Sequence, residues 1–280
     1  MRSVLVTGGT VRLGAAIAAR LRAEGWRVIT SSHRDDAGAD IVADLAEPLG
    51  PAKLFAAALR LLGGTPPDAL VNNAALFVGD EAAIAAVNLE APKKLTMLMA
   101  GRESGVGAVV NILDSVILGS IGSVGAVGSV GSIESIGSVG SIGAVGSVGS
   151  VGSVGSVGAV GAIESVGSVG PVPAEAKAPS APEDSKDSKD PKRPYLSSKR
   201  ELRAFTRSSA ATFAATLRVN GVAPGPVMAP TEVHEKAGEM LLDRRPTADD
   251  VAAAVAYLLS AEATTGTIIP VDAGQHLLEG

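Results

Sequence analysis

The chain has 280 residues, a formal net charge of −5, a pI near 5.3 and no cysteine. That acidity excludes a bulk electrostatic grip on nucleic acid. The missing cysteine excludes disulfides, thiolate metal sites and a cysteine nucleophile, and the three histidines (His33, His234, His276) lie too far apart for ligand spacing.

The start, MRSVLVTGG, is a short apolar run followed at once by glycines, which predicts a buried strand rather than a signal peptide. No strongly apolar run long enough to cross a membrane occurs outside the central repeat, and the repeat itself is too rich in Gly, Ser and Ala. A soluble, cytoplasmic protein is expected.

Residues 3–7 are β-branched and apolar and predict a central strand. Residues 14–24 carry apolar spacings of three and four and predict a helix that stops at Gly25. Strands follow at 27–31 and 40–43, a helix at 51–62 ended by Gly63-Gly64, and a strand at 68–72. A helix is predicted over 81–100, irregular at Pro92, then a strand over 107–113.

The alternation resumes with a helix at 195–215 and a strand at 217–222. Thr247 followed by acidic residues reads as the start of a helix that runs to about Ser260. Tyr257 lies in its apolar stretch and is expected in the core. The last strand is 267–271. Alternating strands and helices, with nearly continuous apolar strands, predict an α/β fold. It is a single Rossmann-type, doubly wound parallel sheet of about seven strands.

Three segments are expected. Residues 1–115 and 195–280 form one discontinuous Rossmann domain, 116–170 a repeat insert, and 171–194 a Pro-rich, charged linker. Sixteen of the 34 glycines fall between Gly119 and Gly170, in a Gly-(Ser/Ala)-(Val/Ile) repeat that Glu134 and Glu164 interrupt. A period of three fits neither a helix face nor a strand face, and too little proline excludes collagen. The linker composition predicts disorder. The insert reads as a repeat expansion tolerated in a surface loop, because loop-closure entropy grows slowly with length. A stalk, an interaction segment and a lid are the functional alternatives.

Thr7-Gly8-Gly9-Thr10-Val11-Arg12-Leu13-Gly14 joins the first strand to the first helix. Glycines allow a tight turn and close backbone approach, and a helix N-terminus offers N–H groups and a positive dipole end to a pyrophosphate. Tyr195 and Lys199 stand four apart, one above the other on a helix face. An ammonium there would stabilise the phenolate and let tyrosine pass a proton near neutral pH.

These motifs, taken in order, resemble the short-chain dehydrogenase/reductase family. The T-G-x(3)-G-x-G turn is matched at Thr7, Gly8 and Gly14, with Arg12 in place of the middle glycine. Asn72-Asn73-Ala74 resembles N-N-A-G, Asn88 the helix asparagine, Tyr195-Leu-Ser-Ser-Lys199 the Y-x-x-x-K signature, and Pro224-Gly225 the P-G loop. Residues 271–277 resemble the C-terminal D-G-G. The resemblance spans residues 1–115 and 195–280. Arg12, and Asp114 where the family usually has serine, are similar to the pteridine reductase branch. Ser115 competes with Asp114 if the register slips by one.

The resemblance implies Tyr195 as general acid, Lys199 as its tuner and as a holder of the nicotinamide ribose, Asp114 as a second acid and Asn88 as an organiser of helix and water. It implies a cofactor site from Thr7, Gly8, Gly9, Arg12, Leu13, Gly14, Asp44, Asn73, Ala74, Pro224, Gly225 and Val227. Thr231 follows a little late for the family's threonine. The second strand ends in Ser32-His33-Arg34, hydroxyl and guanidinium where an NAD site places an acid, so NADPH (NADP+) is expected, with Asp35 and Asp36 weighing against it.

The expected reaction is hydride transfer to a C=N or C=O bond of a small-molecule substrate, with a dihydropterin first and Phe77 as a stacking ring. The alternatives are an oxoacyl or small-carbonyl reductase, and a non-catalytic dinucleotide-binding protein disabled by the insert. His234 lies in the short segment where the resembled family closes over substrate, and His276 is read as a structural or interface residue. No metal is expected, and the resemblance implies a homodimer or homotetramer.

Overall fold

A computed structural model of the chain describes residues 1–35, 38–103, 105–119, 192–227 and 239–278. The chain divides into two compact units, 1–120 with 190–280, and 121–189. Residues 121–170 of the insert and nearly all of the linker fall in the second unit and outside the described residues, and Asp36, Thr231 and His234 also lie outside the described residues.

Seven strands form one sheet: β1 (Ser3–Thr7), β2 (Arg27–Ser32), β3 (Ile41–Val42), β4 (Ala69–Asn72), β5 (Gly107–Ile112), β6 (Leu217–Pro224) and β7 (Ile268–Val271). Their order is β3-β2-β1-β4-β5-β6-β7, and every neighbouring pair is parallel. The helices are α1 (Arg12–Ala23), α2 (Gly50–Leu61), α3 (Glu81–Ala85), α4 (Ala91–Ala100), α5 (Arg193–Thr212) and α6 (Ala248–Ser260).

Strand residues alternate between two covered faces. Val4, Val6, Val71 and Val110 pack with Ile17 and Leu21 of α1 and Val251, Val255 and Leu258 of α6. Leu5, Leu70 and Val109 point the other way, against Leu54 of α2 and Leu95 and Met99 of α4. Both faces are dry, which is why β1 has no polar–apolar alternation in its sequence.

Element boundaries differ from expectation where local chemistry decides. Helix α1 is bounded at Arg12 and not at residue 14, and Arg12 itself holds a left-handed φ of 49° where the chain turns into the helix. The irregularity near Pro92 lies one turn earlier, in a π-helical turn, Ala86–Glu90, between α3 and α4. Proline cannot donate an N–H to the preceding turn, and a π turn absorbs that loss with a local bulge. Tyr257 is 56% exposed, not core: it sits on the outer face of α6, while Val255, Ala256, Leu258 and Leu259 face the sheet.

Parallel strands gather their carboxyl ends on one edge. The strand order reverses direction between β1 and β4, so loops leaving those two ends part and open a crevice, the usual place for a ligand in such sheets.

Candidate active site

The turn after β1 is closed by side chains that bind one another. The backbone N–H groups of Asn73 and Ala74 donate to Thr7 Oγ1 at 2.9 and 3.0 Å. Asn73 Nδ2 donates to the carbonyls of Thr7 (3.0 Å) and Gly8 (3.1 Å). Thr7, Asn73 and Ala74 therefore shape the cradle by locking it. Gly8 has a φ of +60°, and a Cβ at Gly14 would run into the Gly8 carbonyl and Asn73 Nδ2, so helix and turn close only on a residue without a side chain.

Helix α1 offers its N-terminus there. Val11, its N-cap, makes no side-chain cap hydrogen bond, and the first turn holds no acid. By contrast α6 carries a full capping box from Thr247 and Asp250. An uncapped helix end with a basic residue at its first position, over a cradle that a Cβ would fill, fits a dinucleotide pyrophosphate. Leu13 anchors the turn from below against the core.

The other expected cofactor residues line the same edge. Ser32 is buried at the end of β2, and its Oγ accepts from Arg34 N at 3.2 Å. Arg34 Nε donates to His33 Nε2 at 3.1 Å, and both side chains are exposed. Asp44 Oδ1 accepts from Ala46 N at 2.8 Å, which fixes the loop after β3. Gly225, after Pro224, donates to the Val271 carbonyl at 3.0 Å, and Val227 N donates back to Gly225 O at 2.7 Å. A Cβ on Gly225 would press on Asp272, which is buried and bonded to His276 Nδ1 at 2.8 Å. His276 is thus a structural partner of the C-terminal loop.

The residues expected to handle protons meet between β5 and α5. Tyr195 OH donates to Asp114 Oδ2 at 2.8 Å, although the two residues are 81 apart in sequence. The other Asp114 oxygen accepts from Val116 N at 3.0 Å, so Asp114 caps a short 3-10 turn (Ser115–Ile117) as well as holding the tyrosine. The register places Asp114, not Ser115, against Tyr195. Ser115 is buried, and its hydroxyl has no partner among the described residues. Lys199 is 3% exposed and donates to the Ile112 carbonyl at 2.8 Å, with Nζ 5.7 Å from the Tyr195 ring centre.

The electrostatics correct one expectation. The tyrosine's pKa is raised, not lowered, first by burial, then by the Asp114 charge and by the hydrogen bond to it. Lys199 spends its hydrogen bond on Ile112, and the nearest charge to the phenol is negative. Tyr195 is therefore held in its protonated form. Burial lowers Lys199 to about 8, with Asp114 opposing.

Asn88 lies in the π turn and is fully engaged. Its Oδ1 accepts from Leu76 N (2.7 Å), and its Nδ2 donates to Leu76 O (2.8 Å) and Ser198 Oγ (3.2 Å). Asn88 thereby hangs the loop after β4 from α5. Phe77 in that loop is half exposed, with its ring centre 4.7 Å from that of Tyr195 at a 54° tilt. Ser198 was not singled out from the sequence. It lies inside the Tyr195–Lys199 segment on the buried face of α5, and that was the available signal.

A sheet that binds a dinucleotide at its switch point, with a buried Tyr-Lys pair beside it, defines a nicotinamide-dependent oxidoreductase. The comparisons agree. Residues 185–276 match the family described as Enoyl-(Acyl carrier protein) reductase. Over 90 residues the chain is 37% identical to the short-chain dehydrogenase/reductase homolog YusR of Bacillus subtilis, covering 30% of this chain and 70% of that one. The chain belongs to the short-chain dehydrogenase/reductase family.

Among solved structures, FolM alternative dihydrofolate reductase 1 from Brucella suis, in complex with NADP, is 25% identical over 99% of this chain and 95% of that one, with a TM-score of 0.64. A short chain dehydrogenase from Burkholderia cenocepacia, in complex with NADP, is 21% identical over 98% and 97%, with a TM-score of 0.65. Among the described residues no helix is long and apolar enough to cross a membrane, and no group of acids and histidines is placed to hold a metal.

Proposed function

We propose that the protein is an NADPH-dependent reductase that delivers hydride to a C=N or C=O carbon of a small heterocycle, best a dihydropterin. The observation that carries this reading is the 2.8 Å hydrogen bond from Tyr195 to Asp114. The carboxylate beside the tyrosine is placed to relay a proton to the hydroxyl or to a ring nitrogen, which gains one proton as its carbon gains hydride. The FolM relative supports the same substrate class by its printed name.

Reduced nicotinamide supplies the hydride when bound. Tyr195 donates the proton from Oη, and its raised pKa keeps that proton in place until substrate arrives. Asp114 accepts the hydroxyl's hydrogen bond, orients it, and is the carboxylate through which a proton from solvent can be returned to the tyrosine. Lys199 supplies positive charge behind the tyrosine and would hold the nicotinamide ribose. Asn88 holds the loop that carries Phe77, and Phe77 offers one wall for a flat ring. Thr7, Gly8, Gly9, Arg12, Leu13, Gly14, Asn73 and Ala74 make the pyrophosphate cradle. Ser32, His33 and Arg34 would hold the 2′-phosphate, and Asp44, Pro224, Gly225 and Val227 would hold the adenine and nicotinamide ends of the cofactor.

The family description that matches residues 185–276 favours a second reading, an acyl carbonyl as substrate. NADPH oxidation followed at 340 nm separates the two. Turnover of a 7,8-dihydropterin that Tyr195→Phe abolishes supports the proposal. Turnover of an oxoacyl thioester alone replaces it. NADPH binding with neither substrate consumed leaves a non-catalytic binder.

A further inference from the structure

Three buried polar side chains form a line behind the site that the chemistry does not use. Asn72 Nδ2, at the end of β4, donates to Asn111 Oδ1 on β5 at 2.8 Å. Asn111 Nδ2 donates to Thr206 Oγ1 on α5 at 2.9 Å, and the Thr206 hydroxyl donates to the Leu202 carbonyl at 2.7 Å. Asn111 and Thr206 are 0% exposed and Asn72 is 3% exposed. Asn72 and Asn111 are register partners in the sheet.

Each residue is locally disfavoured. Asparagine is depleted in strands, and a threonine bonded back to its own helix weakens that helix slightly. Buried polar groups also lose water. Apolar residues of similar size would fill the same space with none of these penalties. What they lack is direction: an apolar face can slide along a sheet, whereas a hydrogen bond fixes one offset.

The ends of the line matter. Asn73, next to Asn72, closes the turn after β1. Ile112, next to Asn111, receives Lys199. Tyr195, Lys199, Leu202 and Thr206 follow at spacings of four, three and four, so they share one face of α5. Two adjacent residues of β5 thus tie that face at two heights, Ile112 at Lys199 and Asn111 at Thr206.

We propose that Thr206 is a positioning residue, which acts through Asn111 to fix the offset of α5 along β5 and so holds the Tyr195 hydroxyl against Asp114. This rests on the reading of Tyr195 as the proton donor. It is a role for the threonine hydroxyl and not for its volume.

The chain has two tyrosines, so the full-length protein in a Tyr257→Phe background reports Tyr195 alone by its phenolate absorbance at 295 nm. Four residues are compared at position 206: Thr and Ser, which keep the hydroxyl, and Val and Ala, which lack it. The expected result is that Thr206→Val and Thr206→Ala let Tyr195 ionise about one pH unit lower or more, as the contact with Asp114 loosens. Thr206→Ser should titrate like the parent.

With a dihydropterin as substrate, kcat should fall about 10-fold in the two variants without the hydroxyl, while the KM for NADPH stays within about twofold. Equal titration in all four proteins, or a shift that follows side-chain size, overturns the proposal. If the parent turns over no pterin, the substrate reading fails and the titration still decides the role of Thr206.

Discussion

The cofactor cradle and the proton site lie on one edge of one sheet, yet they are made of different material. The cradle is mostly backbone. Its polar side chains are spent on holding it shut, as Thr7 and Asn73 show, and its function depends on atoms that are not there, above all a Cβ at Gly14. The proton site is made of side chains brought from 81 residues apart, and it depends on atoms that are there. One region fails by gaining an atom and the other by losing one, so their variants should fail in opposite assays.

The largest effect belongs to the proton site. Tyr195→Phe removes one oxygen and should reduce turnover by about 10²- to 10⁴-fold, the range of a lost general acid. NADPH affinity, read by fluorescence titration, should stay within about twofold. Gly14→Ala adds one carbon and should do the reverse. Its Cβ presses on the Gly8 carbonyl, and an overpacked turn costs about 1–3 kcal/mol. NADPH should bind about 10- to 100-fold more weakly while kcat at saturating NADPH is largely kept. A Tyr195→Phe protein that loses its cofactor, or a Gly14→Ala protein that loses only kcat, would erase the contrast.

Lys199 belongs to both regions and sharpens the boundary through pH. Burial lowers it to about 8 from an ordinary value of 10.5. Below pH 8 the ammonium is charged in both folded and unfolded states, so its effect on stability is constant. Between about 8 and 10.5 the unfolded chain binds the proton and the folded one does not, and stability then rises with pH. Above the ordinary tyrosine range Tyr195 works the other way, since the folded state keeps a proton that the unfolded state has lost. Between pH 8 and 10 the wild type should therefore gain ~2 kcal/mol relative to Lys199→Met in denaturant unfolding. Over the same interval activity should fall, because the neutral amine no longer supports the tyrosine. A wild type and a Lys199→Met protein with parallel stability curves would contradict this.

The sheet was legible because both of its faces are covered. Each strand then reads as an unbroken apolar run, and glycine punctuates each end. The turn of the cradle was legible because eight consecutive residues, Thr7 to Gly14, make it, and Asn73 and Ala74 lock it from the loop after β4. Asp114 was found from the residue type at one place in the motif order, and the tyrosine was among its expected partners, but the direction was not legible: the tyrosine donates and Asp114 accepts, across 81 residues of chain. The sign of the Tyr195 shift was missed for the same reason. Spacing put Lys199 one turn away, while only the fold shows its ammonium bound to Ile112 and a carboxylate nearer the phenol. Tyr257 was misplaced because an alanine-rich helix looks apolar all round until its packed face is known. Ser198 and Thr206 are ordinary helix residues in sequence, and their roles exist only across the α5 interface with the π turn and β5.

Arg12 makes the smallest prediction, and it tests whether the cradle is purely a matter of backbone. It holds a φ of 49°, a region that costs a side-chain-bearing residue about 1–2 kcal/mol. Arg12→Gly should relieve that strain and raise the unfolding midpoint by about 2–4 °C. If the strain is kept for its charge, the same substitution should lower the preference for NADPH over NADH by about 10-fold, the worth of one charge-assisted contact. Stability and selectivity would then move in opposite directions on one substitution. A more stable protein with undiminished selectivity would assign the 2′-phosphate to Ser32, His33 and Arg34 alone. The cradle would then be backbone throughout, with Arg12 tolerated in its turn for no gain in binding.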